Sequence, residues 1–394
     1  MPVRRWCKRL KVNISFTAIF IAAALLNAVT FAEEPSFQRH TNLYSLSSSQ
    51  PLTSDITPGD SFYSQSNAYF DLTYGSGLQS DTLAQTAFNA AAAQWSSVLR
   101  DDVTVRLDLD YAPLETGVLG ATSSTELVGS YQEVRGMVVN NAGETTNPRE
   151  NLLLPNLPTK SQFSTFLPAG FDLDQEPDTG MQLSQANYHA LGGTDSRFTA
   201  SDGSITFSSN FSWDFDPSDG ISDGKYDFVG VAVHEIGHAL GFISDVDFVD
   251  QVLENGLTST QVRPKPMDLF RFDTADLDDE NFDFTTSTRE MIPGGSDSFY
   301  YGDGSALLST GAYAGDGKQS SHWKDDLSIG IMDPTVAAGE LLAISENDLI
   351  LMDLIGWDVD WQLIKQNFDQ VPEPATAVIF ALGAAVALRK RRSA

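Results

Sequence analysis

Residues 231–245 (VAVHEIGHALGFISD) constrain the fold of this chain more than any other stretch. His234 and His238 are four residues apart. On an α-helix that spacing stacks two side chains on one face, where both imidazoles can hold one metal ion. Glu235 follows the first histidine. The H-E-x-x-H spacing points to Zn²⁺, with the glutamate as general base towards a zinc-activated water. Phe228, Val229, Val231 and Ala232 lead in with apolar side chains, and Leu240 continues the buried side. Gly241 supplies the residue that accepts a left-handed C-terminal turn. A helix with one buried side, ending at Gly241, is therefore expected.

Zinc in a catalytic site needs a third protein ligand and an open position. Asp245 is one candidate, since carboxylates bind zinc; His322, in SSHWKDDLSIGIMDP, is the other. Ten residues on from His322, Met332 lies in a turn-like Gly-Ile-Met-Asp-Pro. His189 reads as a structural or surface histidine. Asp214, Asp216, Asp219, Asp223 and Asp227 crowd a glycine-containing loop ahead of the helix. Such a loop can bind Ca²⁺ through alternating oxygen ligands, or remain a solvated acidic loop with Asp227 at the helix N-terminus.

Both ends of the chain carry sorting features. Residues 1–32 combine Arg4, Arg5, Lys8, Arg9 and Lys11 with an apolar core and end in Thr-Phe-Ala before Glu33 and Glu34. This is the layout of a secretory signal peptide cleaved after Ala32. The one cysteine, Cys7, lies in that leader, so the remaining chain has no disulfide and no cysteine ligand. At the far end, Pro372-Glu373-Pro374 precedes a fourteen-residue, largely apolar run, Ala375 to Leu388, and then Arg389-Lys390-Arg391-Arg392. That apolar run is short of the ~17–25 residues of a stable span, so only transient membrane association is expected. The tail resembles the PEP-CTERM sorting signal of bacteria. The resemblance implies an exosortase-type processing enzyme and delivery to the cell surface or extracellular matrix.

Between the two ends, residues 33–371 hold 52 of the 53 acidic residues but only 15 of the 24 basic ones, a net charge of −37. So acidic a chain repels nucleic acid and anionic membranes. The early chain, to about Ser66, reads as a Ser/Thr/Pro-rich arm. Residues 68–74 alternate as a strand. A helix capped by Ser80 is expected to run to about Leu99, with Leu83, Ala87, Phe88, Ala91, Trp95, Val98 and Leu99 on one apolar face. Val103, Val105, Leu107 and Leu109 then alternate with polar residues as a half-buried strand. Residues 183–191 suggest a short helix, and 204–208 (SITFS) a strand taken here as the cleft edge that would pair with substrate. Residues 345–355 form a capped helix closed by Gly356, placed behind the zinc site.

HEIGHALGF, a long insertion, a distant His-Trp-Lys and a methionine turn together resemble leishmanolysin-like metzincins. The related pattern H-E-x-x-H-x-x-G-x-x-H would place a histidine where this chain has Ser244. The leishmanolysin resemblance instead implies zinc ligands His234, His238 and His322, the base Glu235 and the Met-turn residue Met332. The expected fold class is α+β and zincin-like. It comprises an N-terminal mixed sheet with long helices, the active-site helix, an insertion subdomain over 243–321 and a mainly helical C-terminal part. Residues 33–371 form the metalloprotease domain and 372–394 the sorting segment. The expected function is a secreted or surface-sorted zinc endopeptidase acting on protein or peptide. The alternatives are a catalytically silent zinc-binding surface or matrix protein and a zinc hydrolase of a non-peptide substrate.

Overall fold

The computed structural model describes residues 29–33, 44–45, 67–142, 147–175, 180–194, 201–361 and 364. Most of the predicted arm, most of the leader and the sorting tail lie outside the described residues; within the arm, Tyr44–Ser45 is a short strand paired with Leu127 and Val128. A six-stranded mixed sheet carries the molecule. Its strands are β1 (Val29–Glu33), β2 (Tyr69–Tyr74), β3 (Thr104–Ala112), β4 (Val118–Ser124), β5 (Gly203–Ser208) and β6 (Thr335–Val336). Their order is β6-β1-β4-β5-β3-β2. β2, β3 and β5 run parallel, while β4 lies antiparallel to β5.

Period-two patterning explains β3: Val105, Leu107 and Leu109 are buried and the residues between them are not. Two long helices cover that apolar face. α1 (Thr82–Val98) buries Ala84, Ala87, Phe88, Ala91, Ala92, Trp95 and Val98. Its start differs from expectation. Asp81, not Ser80, is the N-cap and accepts from the Ala84 amide, and Leu83, in the first turn, is 63% exposed. α2 (Phe228–Leu240) is the H-E-x-x-H helix, and all thirteen of its residues are buried. The indole of Trp95 on α1 donates to the Val233 carbonyl at 2.9 Å, locking the two helices together. Phe88, Phe207, Trp213 and Phe228 pack with ring centroids 4.4–5.3 Å apart, joining α1, β5 and the start of α2.

The strand over 204–208 is not the sheet edge. As β5 it is hydrogen-bonded on both sides, to β3 and to β4. Its alternating sequence could not reveal a partner on each flank. The strand beside the metal-binding helix is β4.

The insertion contains its own antiparallel sheet, Arg271–Asp273, Asp297–Tyr300 and Ser305–Leu308. It is also stitched to the earlier chain. Thr260–Val262 pairs with Phe171–Leu173, and Arg289–Glu290 with Thr165–Phe166. Among the described residues after the insertion, the C-terminal part is less helical than expected: it holds α3 (Glu346–Ile355), the helical residues Trp361 and Ile364, β6 and turns. α3 begins at a capping box of Ser345 and Asp348 and ends at Gly356. Among the described residues no helix is long and apolar enough to cross a membrane.

Candidate metal centre

His234 and His238 project from one face of α2, held there by the helix ends. Asp227 caps the N-terminus, accepting from the Gly230 amide at 2.9 Å and from the Leu342 amide at 3.1 Å. Burial raises its carboxyl to about 6. At the other end Gly241 takes φ 121°, a conformation suited to glycine, and turns the chain sharply. The turn brings the Phe242 carbonyl back to His238 Nδ1, 2.9 Å away.

His322 arrives from the far side of the insertion. The three Nε2 atoms stand 3.1, 3.2 and 3.3 Å apart. Each Nδ1 meets a backbone carbonyl: Ile331 for His234 at 2.8 Å, Phe242 for His238, and Gln319 for His322 at 3.2 Å. A carbonyl can only accept, so each Nδ1 carries the proton and each Nε2 keeps its lone pair free for the centre. Burial, then mutual repulsion, pushes the pKa of His234 and His322 well below the usual imidazole range. Neutral imidazole is the form a metal ligand requires. Among the described residues, this is the one group of three or more His, Asp or Glu donors that converge closely enough to hold an ion. The triad could therefore bind a metal.

Asp245 does not join it. Its carboxylate accepts from the Arg263 amide at 2.8 Å, and its own amide donates to Asp268, both in the insertion. Ser244 has a different task. Its amide donates to Ser321 Oγ at 2.9 Å, fastening the residue next to His322 against the end of α2. The Ser321 hydroxyl and amide also bond the Asp247 carboxylate. A single turn after Gly241 thus anchors a histidine 84 residues beyond His238.

Met332 packs under the helix: a β-carbon on Gly237 would lie 2.6 Å from its sulfur. Asp348 on α3 ties this turn to the ligand strand. It accepts from the Trp323 indole at 2.7 Å, the Ile331 amide at 2.8 Å and the Ser345 amide at 2.7 Å. It therefore fixes the neighbours of both His322 and Met332, a role that its place in a capping box did not reveal.

Glu235 turns towards β4. Thr122 Oγ1 lies 2.6 Å from its Oε2 and 3.0 Å from its carbonyl oxygen. Gly120 leaves room for the carboxylate, since a β-carbon there would meet Oε1 at 2.6 Å. Neither β4 residue stands out in the sequence. His234, Glu235, His238 and His322 are all fully buried.

The other sequence candidates lie apart from the centre. His189 faces the buried Asp202 at 3.6 Å and serves the core. In the acidic loop, Asp214 accepts from the Ser222 amide and hydroxyl, and Asp216 from the Ser218 amide. The five loop aspartates are not brought together as a ligand set.

Comparison with known proteins found one match. Residues 370–392 fit the PEP-CTERM protein-sorting motif. The chain therefore carries a bacterial sorting signal of the kind processed by exosortase-type enzymes, which implies export and surface sorting. No curated protein and no solved structure matches the chain.

Proposed function

We propose that this protein is a surface-sorted zinc endopeptidase of the metzincin type. The observation that carries the reading is the convergence of three Nε2 atoms at 3.1–3.3 Å, with Glu235 adjacent on the same helix. Donors bonded at ~2.0–2.1 Å around a tetrahedral Zn²⁺ lie about 3.3 Å apart, so the spacing suits that ion. A Met332 turn beneath the ligands supports the same reading.

Bound there, zinc would supply a Lewis acid to polarise a scissile carbonyl and acidify a water. Glu235 would accept that water's proton and return it to the leaving amine. Thr122 would hold the carboxylate in line, and Gly120 would keep its space clear. The test is zinc content and casein hydrolysis of the leader-cleaved wild type against leader-cleaved Glu235→Gln. The expected result is about one equivalent of zinc in both proteins and activity only in the wild type. Zinc without casein cleavage in either protein would contradict the reading.

Complete burial of all four residues favours a second reading, a catalytically silent metal centre in a surface protein. In that case Glu235→Gln changes neither zinc content nor any hydrolytic activity, small esters included.

A further inference from the structure

β1 lies across the expected leader junction, and it is not a peripheral strand. Its backbone fills the slot between β4 and β6, parallel to the first and antiparallel to the second. Val29 and Thr30 pair with Val336 and Thr335; Thr30, Ala32 and Glu33 pair with Val118, Ala121 and Thr122. One flanking strand, β4, borders the candidate metal centre, and the other, β6, follows the Met332 turn. β4 carries Gly120 and Thr122, which hold Glu235. β6 begins three residues after Met332. Glu33 of β1 thus stands in register with Thr122, the residue bonded to the expected base. With β1 in this slot, the three histidines and Glu235 are fully buried.

We propose that the leader–mature junction of this chain is a strand plug: while the leader is attached, Val29–Glu33 closes the cleft over the metal centre, and cleavage after Ala32 opens it. Hydrolysis of the Ala32–Glu33 amide by a leader peptidase adds one water across the bond. It leaves a carboxylate on Ala32 and an ammonium group on Glu33. Four of the five β1 residues depart, including both that pair with β6. β4 and β6 are then left about two strand spacings apart, roughly 9–10 Å, room for one extended chain. Two unpaired edges facing one another make a strong acceptor for an incoming strand. This gating needs no cysteine, in keeping with a chain whose only cysteine is Cys7. The consequence for activity rests on the zinc-endopeptidase reading; the plug itself does not.

The test compares three forms of the protein. These are the full chain purified with its leader intact, the same chain carrying Ala32→Pro, and the chain after leader peptidase cleavage. Proline removes an amide donor from a strand paired on both sides and is not accepted there. The cleaved chain has no substitution and guards against misfolding of the variant. Amide hydrogen exchange over residues 118–122 and 335–336 reads the plug without reference to metal. Extraction of loaded zinc by a chromophoric chelator and casein hydrolysis read its effect. The expected result is exchange at least about tenfold faster in both opened forms, with faster zinc extraction and casein cleavage. Equal exchange in the intact and cleaved chains would overturn the plug, whatever the metal does. Faster exchange without zinc binding or cleavage in any form would leave the plug standing and refute the zinc-endopeptidase reading.

Discussion

Two parts of the molecule concentrate cation-binding side chains: the histidine triad on and opposite α2, and the aspartate loop that leads into it. In the triad, each imidazole spends one nitrogen on a backbone carbonyl and turns the other inward. In the loop, Asp214 and Asp216 spend their oxygens on nearby amides and hydroxyls, shaping the turn that enters α2. Asp227 is consumed in the same way as a helix cap. Donors form a metal site when the fold occupies their other faces and leaves one atom of each pointing at a common centre. A density of donors in the sequence does not ensure this.

The largest expected effect is on the triad. His322→Ala should weaken zinc binding by on the order of 100-fold or more, because a buried ligand is lost outright. Competition titration against a chelator of known affinity checks it; an unchanged affinity would remove the triad from the comparison. Next comes Gly120→Ala, whose new methyl group displaces the Glu235 carboxylate. Casein hydrolysis should fall on the order of 100-fold while zinc content stays the same, since a misplacement near 1 Å costs that much.

Smaller effects belong to the loop. The Asp227 carboxyl is raised to about 6 by burial. A raised folded-state value means that the folded protein holds the proton more tightly than the unfolded chain. Its contribution is therefore fully present below about pH 4 and lost as pH rises through 6. Asp227→Asn should flatten that fall, a difference of on the order of 2 kcal/mol, seen in metal-free melting curves at pH 4.5 and 7. Smallest is Asp214→Ala. It should lower the melting temperature by a few degrees, as expected for about 1 kcal/mol of local hydrogen bonding, and leave zinc affinity unchanged. A calcium-dependent melting shift that disappears in this variant would turn the loop into a second metal site and break the contrast.

Local patterns made much of this molecule legible. The spacing of His234 and His238, the stop at Gly241, the alternation of β3 and the Ser345 cap are written within a few residues each. His322 stood beside Asp245 as a candidate, and only the resemblance to an extended family pattern favoured it, because 84 residues separate His322 from His238. What remained hidden depends on pairing between distant segments. SITFS reads the same as an edge or as an interior strand, and its partners β3 and β4 lie in another part of the chain. Thr122, Gly120 and Asp348 are ordinary residues until the sheet and α3 bring them to the site. Leu83 shows a finer failure: it shares a face with the buried Ala87, one turn on, yet in the first turn after the Asp81 cap it is 63% exposed.

The most direct test of the metal centre is X-ray absorption at the zinc edge on the zinc-loaded protein. The account predicts three imidazole nitrogens at about 2.0–2.1 Å and one further light-atom ligand, with one imidazole lost in His322→Ala. A first shell of two imidazoles and a carboxylate, unchanged by that substitution, would contradict it and return Asp245 to consideration as the third ligand.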